Sequence, residues 1–262
     1  MRVMVWNVWW RFGGNWRERE QSISATVEAY RPDVLGLVES WSGDGTDQPH
    51  RLAGPCGMHA AWAPSSVPPI AYAEQPGIGF GVGLLSRWPI VAIESHELPN
   101  PGKGGPVPLA LLATLDHPRG RLHVIVSGSE PDERYAGDRS AQCRELAAIA
   151  ADERLDGALP VLLLADLNAT TDQPALAPLL ESMVDLWSAA GADPGAVTFD
   201  SAVPYAPDDA PHLLDRRIDH VLARPGRRGQ QVPVRGAFVA GDRPCGGVYP
   251  SDHYAVGVDL EL

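Results

Sequence analysis

Ten short apolar runs, separated by glycine, proline and polar residues, constrain this chain most, because only two or three segments carry helical spacing. Residues 2–8, 34–38, 81–86, 90–94, 108–116, 121–127, 160–165, 217–223, 235–240 and 254–261 have the length and composition of strands. Residues 17–30 show helical spacing through Ile23, Val27 and Tyr30 and stop at Pro32. Residues 139–155 repeat that spacing through Cys143, Leu146, Ala147, Ala150 and Leu155, and a third short helix is expected after Pro174. The Gly/Pro-rich stretches 41–80, 99–107, 190–214 and 241–250 are predicted to be loops. Each leads back to a strand that would complete the same core, so none marks a domain boundary. Ten strands against so few helices predict two packed sheets with helices outside, in a single domain over residues 1–262.

Composition narrows the function. A chain of 262 residues can bury a substantial core, and it has no run of 18 apolar residues, so no membrane span is expected. It opens inside a strand pattern with no leader-like segment, which argues against secretion. Cys56, Cys143 and Cys245 are an odd, widely separated set without metal-type spacing, as expected of reduced thiols in a cytoplasmic protein. The net charge is −12 and Lys103 is the only lysine. That balance disfavours nonspecific binding to a nucleic-acid backbone without excluding a nuclease, and it suits a protein that concentrates divalent cations.

The polar residues at strand ends carry the chemistry. Asn7 follows the first strand, Glu39 the second, and Asp166 with Asn168 follow residues 160–165. Asp219 follows Arg216-Arg217-Ile218, and Ser251-Asp252-His253 opens the last strand. Hard cations take oxygen ligands and use one or two carboxylates, which Glu39 and Asp252 could supply with Asn7 holding the metal or its water. Asp166 and Asn168, at i and i+2, can orient a water and a phosphate oxygen without a second repelling charge. His253 needs a carboxylate to fix its tautomer, and Asp219 on a neighbouring strand is available. Such a set suits in-line attack on a phosphoester. Taken singly, each residue has a plainer role: a turn at Asn7, a solvated carboxylate at Glu39, an Asx turn at Asp166, an arginine partner at Asp219.

The chain resembles the endonuclease/exonuclease/phosphatase superfamily over nearly its whole length. The resemblance rests on Val5-Trp6-Asn7, the stretch 34–39, Gly83-Leu84-Leu85-Ser86-Arg87-Trp88-Pro89-Ile90 and Arg139-Ser140-Ala141-Gln142. It continues through Asp166-Leu167-Asn168, Arg217-Ile218-Asp219-His220 and Ser251-Asp252-His253. It implies a four-layer α/β sandwich, two mixed central β-sheets flanked by helices, with the site at the top of the sheets. It also implies Mg²⁺ or Mn²⁺ held by Glu39 with Asn7 and Asp252, Asp166 and Asn168 orienting water and phosphate, and His253 paired with Asp219 as general base or phosphate ligand.

One departure stands out. In this family the strand at 121–127 usually ends in a Thr-His pair whose imidazole contacts the phosphate, yet here the chain runs Val126-Ser127-Gly128-Ser129-Glu130. His123 lies too early, at mid-strand. Tyr135 is the expected substitute, with Arg134 and Ser129 as other donors; losing one such donor costs ~10²–10³ in rate by analogy with oxyanion holes. Trp9, Trp10 and Arg11 lie where a substrate could stack, although such residues also pack loops, and Trp41 shares that ambiguity. The expected function is a metal-dependent phosphoesterase acting on nucleic acid or a smaller phosphoester. The alternative is a catalytically weakened binding protein of the same fold.

Overall fold

The computed structural model describes residues 1–65, 77–207, 210–227 and 229–262. One sheet is built from β1 (Arg2–Asn7), β2 (Val34–Gly43), β3 (Thr46–Asp47), β4 (His59–Pro64), β5 (Gly79–Ser86), β12 (Val234–Ala240) and β13 (Ala255–Leu260). Its strand order is β12-β13-β1-β2-β5-β4, with β3 paired on β2. The second sheet contains β6 (Ile90–Glu97), β7 (Leu109–His117), β8 (Gly120–Gly128), β9 (Val161–Asp166), β10 (Val184–Asp185) and β11 (Asp219–Arg224), ordered β10-β11-β9-β8-β7-β6. The pairs β1–β2 and β8–β9 are parallel, and the other pairings within the sheets are antiparallel, so both sheets are mixed.

The two sheets face each other across a core that includes Val3, Val5, Leu84, Leu111, Val124, Leu162, Leu164 and Val256. They approach closely at Gly36, where a Cβ would lie 2.9 Å from Cβ of Leu164, so only glycine fits. On the outer face of the first sheet, α1 (Trp16–Tyr30) and α2 (Gln48–Cys56) bury Ile23, Val27, Leu52 and Ala53 against Met4, Leu35 and Leu85. On the far side, α3 (Ala136–Ala150) and α4 (Ala177–Leu180) pack Cys143, Leu146 and Leu179 on Ile125 and Leu163. The result is the expected helix–sheet–sheet–helix sandwich. No helix among the described residues is long and apolar enough to cross a membrane.

All ten expected strands are present, and so are the three helices. Within the stretch 41–80, residues 66–76 lie outside the described residues, but the rest is more than loop: it carries β3, α2 and β4. Two of the prolines there belong to α2. Pro49 occupies its first turn and Pro55 its last, Asp47 accepts a hydrogen bond from the His50 N–H at 2.9 Å, and Gly57 ends it in the left-handed region. The two-residue strand β10 and the short α5 (Leu186–Ala189), capped by Asp185, also went unanticipated.

Candidate active site

Both sheets end at one cavity of about 350 Å³, lined by Asn7, Glu39, Asp166, Asn168, Asp252 and His253 together with a largely apolar wall. The first sheet supplies Asn7, Glu39, Asp252 and His253 from β1, β2 and the lead-in to β13. The second supplies Asp166 and Asn168 from the end of β9 and Asp219 from the start of β11.

Glu39 owes its position to a bulge. The β2–β5 register runs Leu37 opposite Gly83 and then Ser40 opposite Gly81, so Val38 and Glu39 together face Val82. Glu39 takes φ 55°, a left-handed conformation uncommon for a side-chain-bearing residue, and its carboxylate is half-buried at the cavity. Asn168, at φ 47°, is better suited to that region because its short amide tolerates it. Its N–H donates to Asp166 Oδ1 at 3.1 Å, and its Nδ2 donates to the Ser129 carbonyl at 2.9 Å.

Two hydrogen bonds cross between the sheets. Asn7 Nδ2 donates to Asp166 Oδ2 at 3.0 Å, and His253 Nδ1 donates to Asp219 Oδ2 at 2.9 Å. The expected His253–Asp219 pairing is present, but Asp219 is not on a neighbouring strand: it reaches His253 from the opposite sheet. Residues 198–199 make this possible. Thr198 Oγ1 accepts from the Asp219 N–H at 3.3 Å, while the Phe199 ring stacks on the His253 ring with centroids 4.3 Å apart. The other face of Ser251-Asp252-His253 is fixed by Trp6, whose indole N–H donates to the His253 carbonyl at 2.9 Å, and by Ser251 Oγ, which donates to the Asn7 carbonyl at 2.7 Å. His253 Nε2 then stands 4.0 Å from Asp166 Oδ2.

Electrostatics follow from crowding four carboxyl groups around one imidazole. Burial raises Glu39 to about 7, helped by the charge of Asp166. Burial raises Asp166 to about 7 as well, helped by Asp219, and Asp252 to about 7, helped by Glu39. Burial opposes charge on His253, but Asp219, Asp252 and Asp166 overcome it and hold the imidazole well above its usual value. His220 points elsewhere: its Nδ1 meets Arg217 at 2.8 Å, and burial followed by that guanidinium pushes it down to about 4. Arg217 pairs with Asp185 at 2.8 Å, while the Asp219 carboxylate is bonded to His253.

Among the described residues, the acid–histidine group whose ligand atoms lie within 4.8 Å of one another is Asp166, Asp219 and His253. Within that trio Asp219 Oδ2 accepts from His253, whereas its Oδ1 is buried without a hydrogen-bond partner. Glu39 and Asp252, which face the cavity and repel each other, are the carboxylates that a cation would relieve.

The remaining sequence candidates divide. Trp9 lines the cavity and stacks on Tyr205 at 4.9 Å. Trp10 is buried and donates its indole N–H to the Gly79 carbonyl, and Arg11 lies over the rings of Trp16 and Trp41 at 4.2 and 3.9 Å; both pack the loop, as does Trp41. Tyr135 ends a 3₁₀ turn (Glu133–Tyr135) and is not among the described residues lining the cavity. Arg134 is exposed on Asp132, and the Ser129 hydroxyl donates to the Leu167 carbonyl at 2.6 Å, which uses its one proton. His123 is mid-strand and bonded to Thr114.

Several residues at the site went unrecognised in the sequence. Phe199 could not be placed from a loop. Arg19 had a legible signal: in the charged run Arg17-Glu18-Arg19-Glu20 it is the arginine four residues before Ile23, on the face that carries Ile23 and Val27. It is buried, and its guanidinium donates to the carbonyls of Val8, Trp9, Trp10, Phe12 and Pro250, which shapes the turn behind Asn7. The Arg139-Ser140-Ala141-Gln142 motif is explained too. Arg139 donates to the carbonyl of Glu130, and Gln142 bonds both the Glu130 N–H and the Pro99 carbonyl, which ties two cavity-wall segments to α3. Lys103 and Glu130 line that wall.

The sequence profile of the Endonuclease/Exonuclease/phosphatase family matches residues 4–253, and the chain belongs to that family. Family members are hydrolases of phosphoester bonds. A solved endonuclease/exonuclease/phosphatase from Beutenbergia cavernae shares 26% identity over 100% of this chain and 71% of its own, with a TM-score of 0.73. The human Nocturnin catalytic domain with bound sulfate is similar in fold, at 18% identity, TM-score 0.78, covering 100% of this chain and 94% of its own. Humanized D. rerio TDP2 also shares the fold, at 18% identity and TM-score 0.76, covering 100% of this chain and 99% of its own. No curated protein matches the chain.

Proposed function

We propose that this protein is a divalent-metal-dependent phosphoesterase whose residues 1–262 form one catalytic domain. The observation that carries the reading is the bracketing of Asp166: Asn7 holds one carboxylate oxygen, the Asn168 N–H holds the other, and His253 Nε2 stands 4.0 Å away. A carboxylate so fixed, with a pKa near 7, is suited to orient a water and take its proton at neutral pH.

Glu39 and Asp252 would hold Mg²⁺ or Mn²⁺, with the Asn7 amide oxygen assisting; the cation would neutralise charge building on the phosphoryl oxygens. His253, kept protonated by Asp219, would donate from Nε2 to a phosphoryl oxygen. Asn168 uses one amide proton on Ser129 and keeps the other for a second oxygen.

The wall favours a small phosphoester with an aromatic or apolar body over duplex nucleic acid. Trp9, Phe12, Phe80, Leu109, Phe199 and Leu213 line it, and Lys103 is the sole lysine or arginine among its described residues. A second reading, the terminus of a single strand with a base on Trp9, is favoured by the aromatic wall; D. rerio TDP2, similar in fold, has been solved with a single-strand DNA product. Cys56, Cys143 and Cys245 are all free, which fits a cytoplasmic site of action.

The test is hydrolysis of a bis-aryl phosphodiester, an aryl phosphomonoester and a 5′-labelled oligonucleotide, with Mg²⁺, Mn²⁺ or EDTA. Metal-dependent release from an aryl substrate supports the reading. Tight phosphate binding with no turnover on any substrate leaves a binding protein of the same fold.

A further inference from the structure

We propose that Lys103 is a substrate-phosphate ligand of this cavity and that Glu130 is the carboxylate that holds its ammonium until phosphate displaces it; the proposal rests on the phosphoesterase reading of the site. The cavity wall carries the carboxylates of Glu39, Glu130, Asp166 and Asp252, an environment hostile to a phosphate unless cations face it. Apart from His253, the described lining offers one: Lys103.

Its placement is built rather than incidental. The Gly102 and Lys103 N–H groups both donate to the buried Asp138 carboxylate on α3, each at 2.8 Å. A Cβ at Gly102 would lie 3.0 Å from Asp138 Oδ1, so a glycine is what lets the loop dock so closely. Lys103 Nζ then donates to both oxygens of Glu130 at 2.9 Å, on a side chain still 42% exposed, while the Glu130 side chain is 6% exposed. An ammonium has three donors, so one remains for a ligand.

Glu130 is itself tied to the reaction centre. It follows Ser129, whose N–H donates to the Asp166 carbonyl and whose own carbonyl accepts from Asn168. The Lys103–Glu130 pair is therefore two residues of fixed backbone from the groups that orient the water. An arriving phosphate engages the free Nζ donor and competes with Glu130 for the other two.

The two members of the pair should respond in opposite directions. With saturating Mg²⁺, binding of inorganic phosphate is measured by calorimetry, and hydrolysis of a bis-aryl phosphodiester is measured in parallel. Glu130→Gln releases the ammonium and is expected to tighten phosphate binding several-fold. Lys103→Met in the Glu130→Gln background removes the cation without stranding a buried carboxylate. It is expected to weaken phosphate binding and lower kcat/KM about 10- to 100-fold, the range for a lost hydrogen bond to a charged group. Lys103→Arg should keep most of the affinity, which covers the case of a poorly folding double variant.

Phosphate affinities of Glu130→Gln and the double variant both within twofold of the parent overturn the proposal, as does a parent that binds no phosphate. If the ordering holds while no substrate is hydrolysed, the ligand assignment stands and the phosphoesterase reading fails. If hydrolysis is brisk and unchanged in the double variant, only the ligand assignment fails.

Discussion

His253 and Asp219 come from different sheets, and their 2.9 Å hydrogen bond closes the site across the sandwich. Asp219 is wholly buried and accepts from Nδ1, so its charge orients the imidazole and keeps it protonated. His253→Ala is therefore expected to lower turnover by ~10²–10⁴, the range for a positioned proton-transfer or phosphate-binding group, and Asp219→Asn by somewhat less. The two act as a unit, so the double variant should be little worse than His253→Ala. Steady-state rates on an aryl phosphodiester decide this, and losses that simply multiply would place Asp219 outside the catalytic group.

Glu39 gives a prediction in which stability and metal affinity move apart. Burial and the neighbouring acids raise its carboxyl to about 7, so its ionised form is a strain on the metal-free fold. Glu39→Gln should leave the metal-free Tm equal or higher while weakening Mn²⁺ binding at least tenfold. Calorimetric Mn²⁺ titration beside thermal unfolding in EDTA reads both. A variant that binds Mn²⁺ as the parent does would remove Glu39 from the ligand set.

The same shifts set the pH dependence. Glu39, Asp166 and Asp252 titrate near 7 in the fold, against ordinary values of 4.5, 3.8 and 3.8. Between those limits the folded state holds protons that the unfolded chain has released, so their contribution to stability is lost as pH rises from about 4 to 7. His253 is raised above 6.5, so its contribution is complete below that value and is lost as pH climbs through the folded value. Metal-free protein should thus lose Tm from pH 5 to 9. Protons compete with the cation for the same carboxylates, so added Mg²⁺ should raise Tm more at pH 8 than at pH 5. An equal metal-induced shift at both pH values would contradict this.

Much of the site was legible because each strand end joins an apolar run to a polar residue that the run cannot use. Asn7, Asp166 and His253 all follow that rule. The left-handed bulge at Glu39 was not legible, since register depends on the β5 partner rather than on local sequence. Nor was the origin of Asp219 in the second sheet, because two packed sheets place sequence-distant strand ends face to face. The helix α2 was missed because proline and glycine, counted as loop formers, here occupy its first turn, last turn and cap. In the sequence Lys103 stands out only as the single lysine; its place on the wall comes from Asp138, 35 residues away in sequence.

Arg19 offers a test of the scaffold beneath the site. It is 1% exposed and satisfies five carbonyls, four of them in the turn that carries Trp9, and burial lowers its own pKa to about 10. Arg19→Met keeps much of the volume but orphans those acceptors, for an expected loss of about 3–5 kcal/mol, less than the sum over acceptors because the turn can shift toward water. Arg19→Lys should recover only part, having three donors in place of a planar fork. Urea unfolding measures both, and a loss under about 1 kcal/mol for Arg19→Met would show that the turn holds itself.

The strand end at Gly128 allows a final prediction, because the histidine that the family resemblance leads one to expect there is missing. Gly128 lies abreast of Asp166 in the β8–β9 register, so a side chain there would start beside the reaction centre. The space is already taken: a Cβ at Gly128 would lie 3.0 Å from Val38 Cγ1, and Val38 is buried on β2. Gly128→His should therefore destabilise the protein by about 1–3 kcal/mol through overpacking, with no gain in turnover. Trimming the obstacle changes the sign. In a Val38→Ala background the same histidine should be tolerated better, so that the two substitutions together cost less than the sum of their separate costs. A double-mutant cycle on urea unfolding measures that coupling, and rates on an aryl phosphodiester show whether the added imidazole then reaches the phosphate. Additive costs would mean that Val38 does not exclude the histidine, and that its absence has some other cause than space.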